Sequence, residues 1–149
     1  MNRFLALAAI ATLAAPASAQ TYAGLSIGYS PSGIGGIWLD ARAERPVGPP
    51  IALGTPLRAG VRLGFITTGQ DAALVPEVSV AAHPLPANSL DPYALVHAGV
   101  AIGSGGGSAS TAGVEVGVGL RPAFLNGGGL TLFVDLRRGG SVIGTTVSF

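Results

Sequence analysis

Beyond residue 20 the chain alternates apolar and polar positions with a period of two, and helical spacing is weak. Strict alternation over short segments is the pattern of half-buried β-strands. Eight such segments follow one another. Residues 22–29 place Ala23, Leu25, Ile27 and Tyr29 on one face; residues 36–44 place Ile37, Leu39, Ala41 and Ala43 there. Residues 57–66 contribute Leu57, Ala59, Val61, Leu63 and Phe65, and residues 73–83 contribute Leu74, Pro76, Val78, Val80 and Ala82. Residues 92–102 contribute Ala94, Val96, Ala98, Val100 and Ile102, and residues 111–121 contribute Ala112, Val114, Val116, Val118 and Leu120. The last two segments, 130–137 and 141–149, carry Leu130, Leu132, Val134 and Leu136, then Ile143, Thr145, Val147 and Phe149.

The opposite face checks the assignment. Within the segments the charged residues are Asp40, Arg42, Glu44, Arg58, Arg62, Glu77, Glu115, Arg121, Asp135 and Arg137, and all of them fall on the non-apolar parity. Side chains alternate strictly in a strand, so each charge beyond the first in a segment is an independent agreement. The strand glycines, among them Gly28, Gly60, Gly64, Gly99, Gly113 and Gly117, share that face. Each segment is about as long as a tilted strand needs to cross a bilayer. Eight strands form the smallest usual membrane barrel, and its interior is only wide enough for side chains. The expected fold is therefore all-β, an eight-stranded antiparallel up-and-down transmembrane barrel over residues 20–149, with Gly making room for bulky and charged lumen residues.

Composition supports this picture. Charged residues are 10% of the chain, against about a quarter in soluble domains. All the basic residues are Arg. The net charge of +1 supplies no basic footprint, so nucleic acid is not an expected partner. No segment after the N-terminus has the 18 consecutive apolar residues of a membrane helix. A closed barrel is the other structure that satisfies its backbone in lipid. The first residues read as a secretory signal over 1–19: Arg3, an apolar stretch from Phe4 to Ala15, and the small-residue site Ala17-Ser18-Ala19. Without cysteine there is no disulfide, lipidated cysteine or cysteine metal site.

Alternation does not say which face is inside. The inverted reading is a soluble periplasmic or secreted barrel with an apolar ligand cavity. Too few charges to clothe a soluble surface argue against it.

The segment Ile143-Gly144-Thr145-Thr146-Val147-Ser148-Phe149 resembles the terminal strand of bacterial outer-membrane barrels, which end in Phe after alternating apolar residues. The whole chain is similar to the small eight-stranded outer-membrane proteins of the outer membrane protein A type. That resemblance implies the bacterial outer membrane as location and outer-membrane lipid as surroundings. It also implies that the barrel-assembly machinery reads Ile143, Val147 and Phe149; Thr145 departs from the pattern.

The connections do not follow the usual plan of short periplasmic turns and long outer loops. With both chain ends at the periplasmic side, the outward connections, 30–35, 67–72, 103–110 and 138–140, are short; Gly103 to Ser108 reads as a flexible tip. The inward ones, 45–56, 84–91 and 122–129, are longer and rich in Pro or Gly. Pro76 removes a ladder donor within strand four and suggests a bulge.

Candidate chemistry is sparse. The lumen arginines can pair with Asp40, Glu44, Glu77, Glu115 and Asp135, giving either a side-chain-filled structural plug or a narrow channel for ions or small solutes. His83 and His97, both on the polar face, lack a clustered third ligand for a metal. Ser79 is the hydroxyl nearest His83 on that face, and no Ser/His/acid spacing stands out, although outer-membrane lipid A deacylases and palmitoyltransferases have similar size. Gly103 to Gly107 has no following Lys-Ser/Thr or helix, so it is not a phosphate loop. No cofactor, metal or catalytic set is expected.

Overall fold

The computed structural model describes residues 22–32, 35–48, 51, 55–68, 70–84, 90–120 and 128–149. The candidate signal segment 1–19 and Arg121 lie outside the described residues. Eight strands run in chain order: β1 (Tyr22–Ser32), β2 (Gly36–Pro46), β3 (Leu57–Thr67), β4 (Ala72–Ala82), β5 (Leu90–Gly103), β6 (Ser108–Leu120), β7 (Gly129–Arg137) and β8 (Gly140–Ser148). Each pairs antiparallel with its neighbours, and β1 pairs with β8, so the sheet closes. Closure removes both sheet edges, and every strand finds its ladder partners within the chain.

The register is staggered. From Tyr22 the ladder steps through Glu44, Gly60, Ser79, His97, Gly113 and Arg137 to Gly140. The next residue, Ser141, pairs with Ser32. One circuit thus climbs about ten residues of β1, a stagger that tilts eight strands by roughly 40°. At that tilt a strand of 11 residues, as in β2, rises roughly 28 Å, close to the hydrocarbon thickness of a bilayer.

On all eight strands the apolar parity faces outward. Leu25, Val78, Val96, Leu132, Leu136 and Ile143 are each more than half exposed. Among the described residues, outward charges stand only at the ends: Arg45 near the end of β2, and Asp71 and Arg138 in connections. The inverted arrangement, with apolar residues lining a ligand cavity, is not the one adopted: Asp40, Arg42, Arg62, Glu115 and Asp135 are buried inside. Thr145, the polar residue on the outward parity of β8, turns its hydroxyl back to the Thr131 carbonyl at 2.9 Å, which satisfies it locally.

Three details differ from the sequence reading. The 103–110 tip is a tight hairpin: Ser108, Ala109 and Ser110 pair with Ile102, Ala101 and Val100, leaving Ser104–Gly107 as the turn. Gly106 there adopts φ 83°, a conformation open to glycine at little cost. Backbone pairing with a long β5 outweighs the flexible composition. Pro76 makes no bulge. Leu63↔Pro76 holds on the β3 side, and Leu74↔Ile102 and Glu77↔Gly99 keep one register on the β5 side. The missing N–H simply leaves that stretch of the β5 ladder unpaired. The register shift falls instead between Tyr29 and Ser32 on β1 against β8, around Pro31. Finally, His83 lies just beyond β4 rather than within it.

With eight strands present, the length pattern of the connections is a property of the fold and not of a miscounted strand. The short connections 33–35, 68–71, 104–107 and 138–139 join strand ends on one side of the barrel, and the longer 47–56, 83–89 and 121–128 join strand ends on the other, where Tyr22 and Ser148 also stand.

Candidate functional site

The lumen is filled in three levels. At the short-connection end, Trp38, Ile66, Val75 and Val142 are 2–7% exposed and close the bore with apolar side chains. Arg137 lies over the Trp38 ring, its guanidinium carbon 3.9 Å from the centroid, a cation–π contact. Gly64, the ladder neighbour of Asp40, gives the indole its space: a Cβ there would lie closer than 3.0 Å to the Trp38 ring.

The middle level is an ionic and hydrogen-bonded network drawn from seven strands, β2 to β8. Arg62 of β3 donates to Asp40 of β2 through Nε at 3.1 Å and through Nη2. Its Nη1 is 3.0 Å from Glu115 Oε2 and 3.6 Å from Asp135 Oδ2. Arg42 Nη1 reaches Glu115 Oε1 at 2.7 Å, and its Nη2 donates to Thr146 at 2.9 Å. The Tyr93 hydroxyl also donates to Glu115. Asp135 Oδ2 accepts from Arg137 Nε at 2.8 Å, and Arg137 Nη2 reaches Glu77 Oε2 at 3.1 Å.

His97 sits between two carboxylates of this network. Its Nδ1 is 3.1 Å from Glu77 Oε1 and its Nε2 2.8 Å from Asp135 Oδ1. Only the doubly protonated ring can donate at both nitrogens. Gly113 stands against the imidazole, where a Cβ would come within 2.6 Å of Nε2.

The third level closes the long-connection end. His83 Nδ1 lies 3.1 Å from Asp91 Oδ1, and Nε2 lies 3.6 Å from Glu44 Oε2. The ring stacks on Tyr93 at 5.5 Å and 16°. The Arg42 guanidinium lies over both Tyr22 and Tyr93, at 5.6 and 5.4 Å from the ring centroids.

The structure thus brings Asp40, Arg42, Arg62, Glu77, Glu115, Asp135 and Arg137 into one connected network, and places Glu44 in the His83 cluster. Arg58 lies on the inner face of β3, half-buried, and forms no ion pair among the described residues. Arg121 is not described. Sequence reasoning missed Asp91 as a lumen residue, because it lies just before the segment drawn from 92. Its parity, shared with Tyr93 and His97, was the available signal. Tyr93 and Thr146 were missed as well; neutral hydroxyls on the polar parity carry no distinguishing mark in a chain rich in Ser and Thr. His83 and His97 were read as isolated, and the closed barrel surrounds each with acids from other strands. Their ring nitrogens face carboxylates, so neither histidine is engaged with a serine. Among the described residues no cluster of three or more His, Cys, Asp or Glu is arranged to hold a metal ion.

An apolar exterior, a stagger of about ten and a bore crossed by a connected ionic network define a closed eight-stranded antiparallel barrel of the transmembrane architecture. Solved structures of that architecture are what the chain is similar to. A de novo designed transmembrane β-barrel superposes with a TM-score of 0.55 at 17% identity, over 89% of this chain and 98% of that one. Neisserial surface protein A (NspA) gives 0.64 at 13% identity, over 86% and 94%. The outer membrane enzyme PagL gives 0.61 at 13% identity, over 86% and 98%. At these identities the shared property is the fold. No family model and no curated protein matches the chain.

Proposed function

We propose that the protein is an integral barrel of the bacterial outer membrane with a side-chain-filled lumen, serving a structural or interaction role rather than a catalytic one. The observation that carries this reading is the combination of faces: large apolar residues exposed on all eight strands, and an interior where Asp40, Arg42, Arg62, Glu77, Glu115, Asp135 and Arg137 form one connected ion-pair network. An exposed apolar surface of this extent requires a partner, and a bilayer fits one that encircles the whole barrel. The similarity to barrels described as outer-membrane proteins supports the location. A buried ion left unpaired costs several kcal/mol, so the bore gains nothing from being opened to a hydrated ion unless the network is rearranged. The outward Ile143, Val147 and Phe149, respectively 55%, 47% and 70% exposed, stand where assembly machinery can read the last strand. The similarity to an outer-membrane enzyme is one of fold, at 13% identity, and does not bring catalysis with it.

Fractionation tests the location. The protein should sediment with the sarkosyl-insoluble membrane fraction and show a folded band whose gel migration shifts on boiling. A soluble protein would overturn the membrane reading. Planar bilayers then test the plug: no steady conductance is expected, and a stable ohmic step would replace the plug with a narrow channel.

A further inference from the structure

We propose that His83 is a proton-operated latch at the long-connection end of the lumen. Doubly protonated, it ties Glu44 of β2 to Asp91 of β5; on losing a proton it releases Glu44 and admits solvent to the space beside Ser79. This rests on the side-chain-filled lumen proposed above but not on the membrane location.

The geometry is that of a bridge. The imidazole reaches Asp91 with Nδ1 and Glu44 with Nε2, and it is clasped between the Tyr22 and Tyr93 rings at 6.5 and 5.5 Å. A neutral ring that keeps its Nδ1 proton toward Asp91 presents the Nε2 lone pair to the Glu44 carboxylate. Attraction there becomes repulsion.

Among the described residues, no other group near the ring replaces the lost charge. Tyr22 faces it from β1. Arg42 of β2 is committed to Glu115 and Thr146. Arg58 of β3 pairs in register with Ala81 and Pro46 and makes no bond to Glu44. Asp91 and Tyr93 come from β5 and Thr131 from β7, while Ser79 of β4 lies on the far side of Glu44, across Gly60.

Behind the bridge lies unfilled bonding capacity. Glu44 Oε2, His83 Nε2 and Ser79 Oγ are buried without hydrogen-bond partners. Glu44 and Ser79 flank Gly60, where a Cβ would meet Glu44 Cγ at 2.6 Å and Ser79 Oγ at 2.9 Å. Water entering that space gains three polar partners, so solvent is poised to follow release.

Burial opposes the charge on His83, but Asp91 and Glu44 outweigh it and hold its pKa above the usual histidine value. The latch is therefore shut below the usual histidine value and opens as pH rises through the raised one.

The chain has no cysteine, so Ser79→Cys places a single thiol behind the latch. Its labelling by a small methanethiosulfonate reagent is compared in three folded, heat-modifiable proteins: Ser79→Cys alone, with His83→Gln, and with His83→Arg. At pH 6 the Gln variant should label several-fold faster than the other two, whose rates should agree. Well above the ring's pKa the protein with native His83 should label like the Gln variant, while the Arg variant stays slow. Equal rates in all three at both pH values would overturn the latch. Ring nitrogen NMR of the unsubstituted protein gives a second reading. The His83 ring should stay doubly protonated past pH 6.5, with a midpoint that falls in Glu44→Gln; a ring already neutral at pH 6 would overturn the latch.

Discussion

Arg62→Met removes the guanidinium at the centre of the lumen while keeping an apolar stem of similar reach. Three carboxylates feel the change, unequally. Glu115 keeps Arg42 at 2.7 Å and the Tyr93 hydroxyl. Asp135 keeps His97 at 2.8 Å and Arg137 at 2.8 Å. Asp40 keeps the Trp38 indole N–H at 3.3 Å and the weaker influence of Arg42 and the Ser26 hydroxyl, and its Oδ1 already lacks a partner. The cost therefore concentrates at Asp40, a buried carboxylate left without its cation, for which about 3–5 kcal/mol is the usual range. That is roughly two to four orders of magnitude in the folding equilibrium.

Adding Asp40→Asn should return roughly 2 kcal/mol, because the orphaned charge is gone. Asp40→Asn alone should destabilise, since Arg62 then loses its closest acid. The two substitutions should thus couple by at least about 1 kcal/mol in a double-mutant cycle. The assay is urea unfolding in lipid vesicles, read by the fluorescence of Trp38, the chain's only tryptophan. If Arg62→Met costs less than about 1 kcal/mol, or if the two changes add without coupling, the ionic network does not hold the barrel as argued.

Other outcomes follow from single features of the fold. Val78, 63% exposed near the middle of β4, should cost about 2–4 kcal/mol as Val78→Arg in vesicles if that face meets lipid; no cost there would count against membrane embedding. Gly99→Ala places a methyl closer than 3.0 Å to the Pro76 carbonyl and to Glu77, contacts with backbone that cannot swing away. Its urea midpoint should fall by an amount equivalent to about 1–3 kcal/mol, whereas Gly105→Ala, with nothing within 4 Å, should change it by no more than about 0.5 kcal/mol. The raised pKa of His83 implies stability that is fully present below the unfolded-state value near 6.5 and is lost as pH rises through the folded value. The urea midpoint should therefore decline through that window, and His83→Gln should flatten the decline.

Much of the architecture could be read before any coordinates. Parity divides every strand into two faces, because side chains alternate strictly and a one-residue slip would turn an entire face over. It sets Leu25 and Val78 on one face and Arg62 and Glu115 on the other; that the apolar face is the outer one follows from the scarcity of charge, not from alternation. The strand number follows from the punctuation between alternating runs. Strand ends were less legible: Ser108, Ala109 and Ser110 lack β-forming character, and only pairing with Val100, Ala101 and Ile102 draws them into β6. A bulge at Pro76 was a reasonable local inference, yet closure held the register there and put the irregularity near Pro31.

What the chain alone determined is the pattern: eight alternating segments, one apolar face, and charges confined to the other. The tertiary structure decided which charges meet. Parity places Arg62, Glu115 and Asp135 in the same lumen but says nothing of their height within it. Height depends on register summed around the closed barrel, a climb of about ten residues that no local segment encodes. That sum sets Arg62 of β3 beside Asp40, Glu115 and Asp135 of three other strands, and it makes His83 a bridge between Glu44 and Asp91 instead of a solitary histidine.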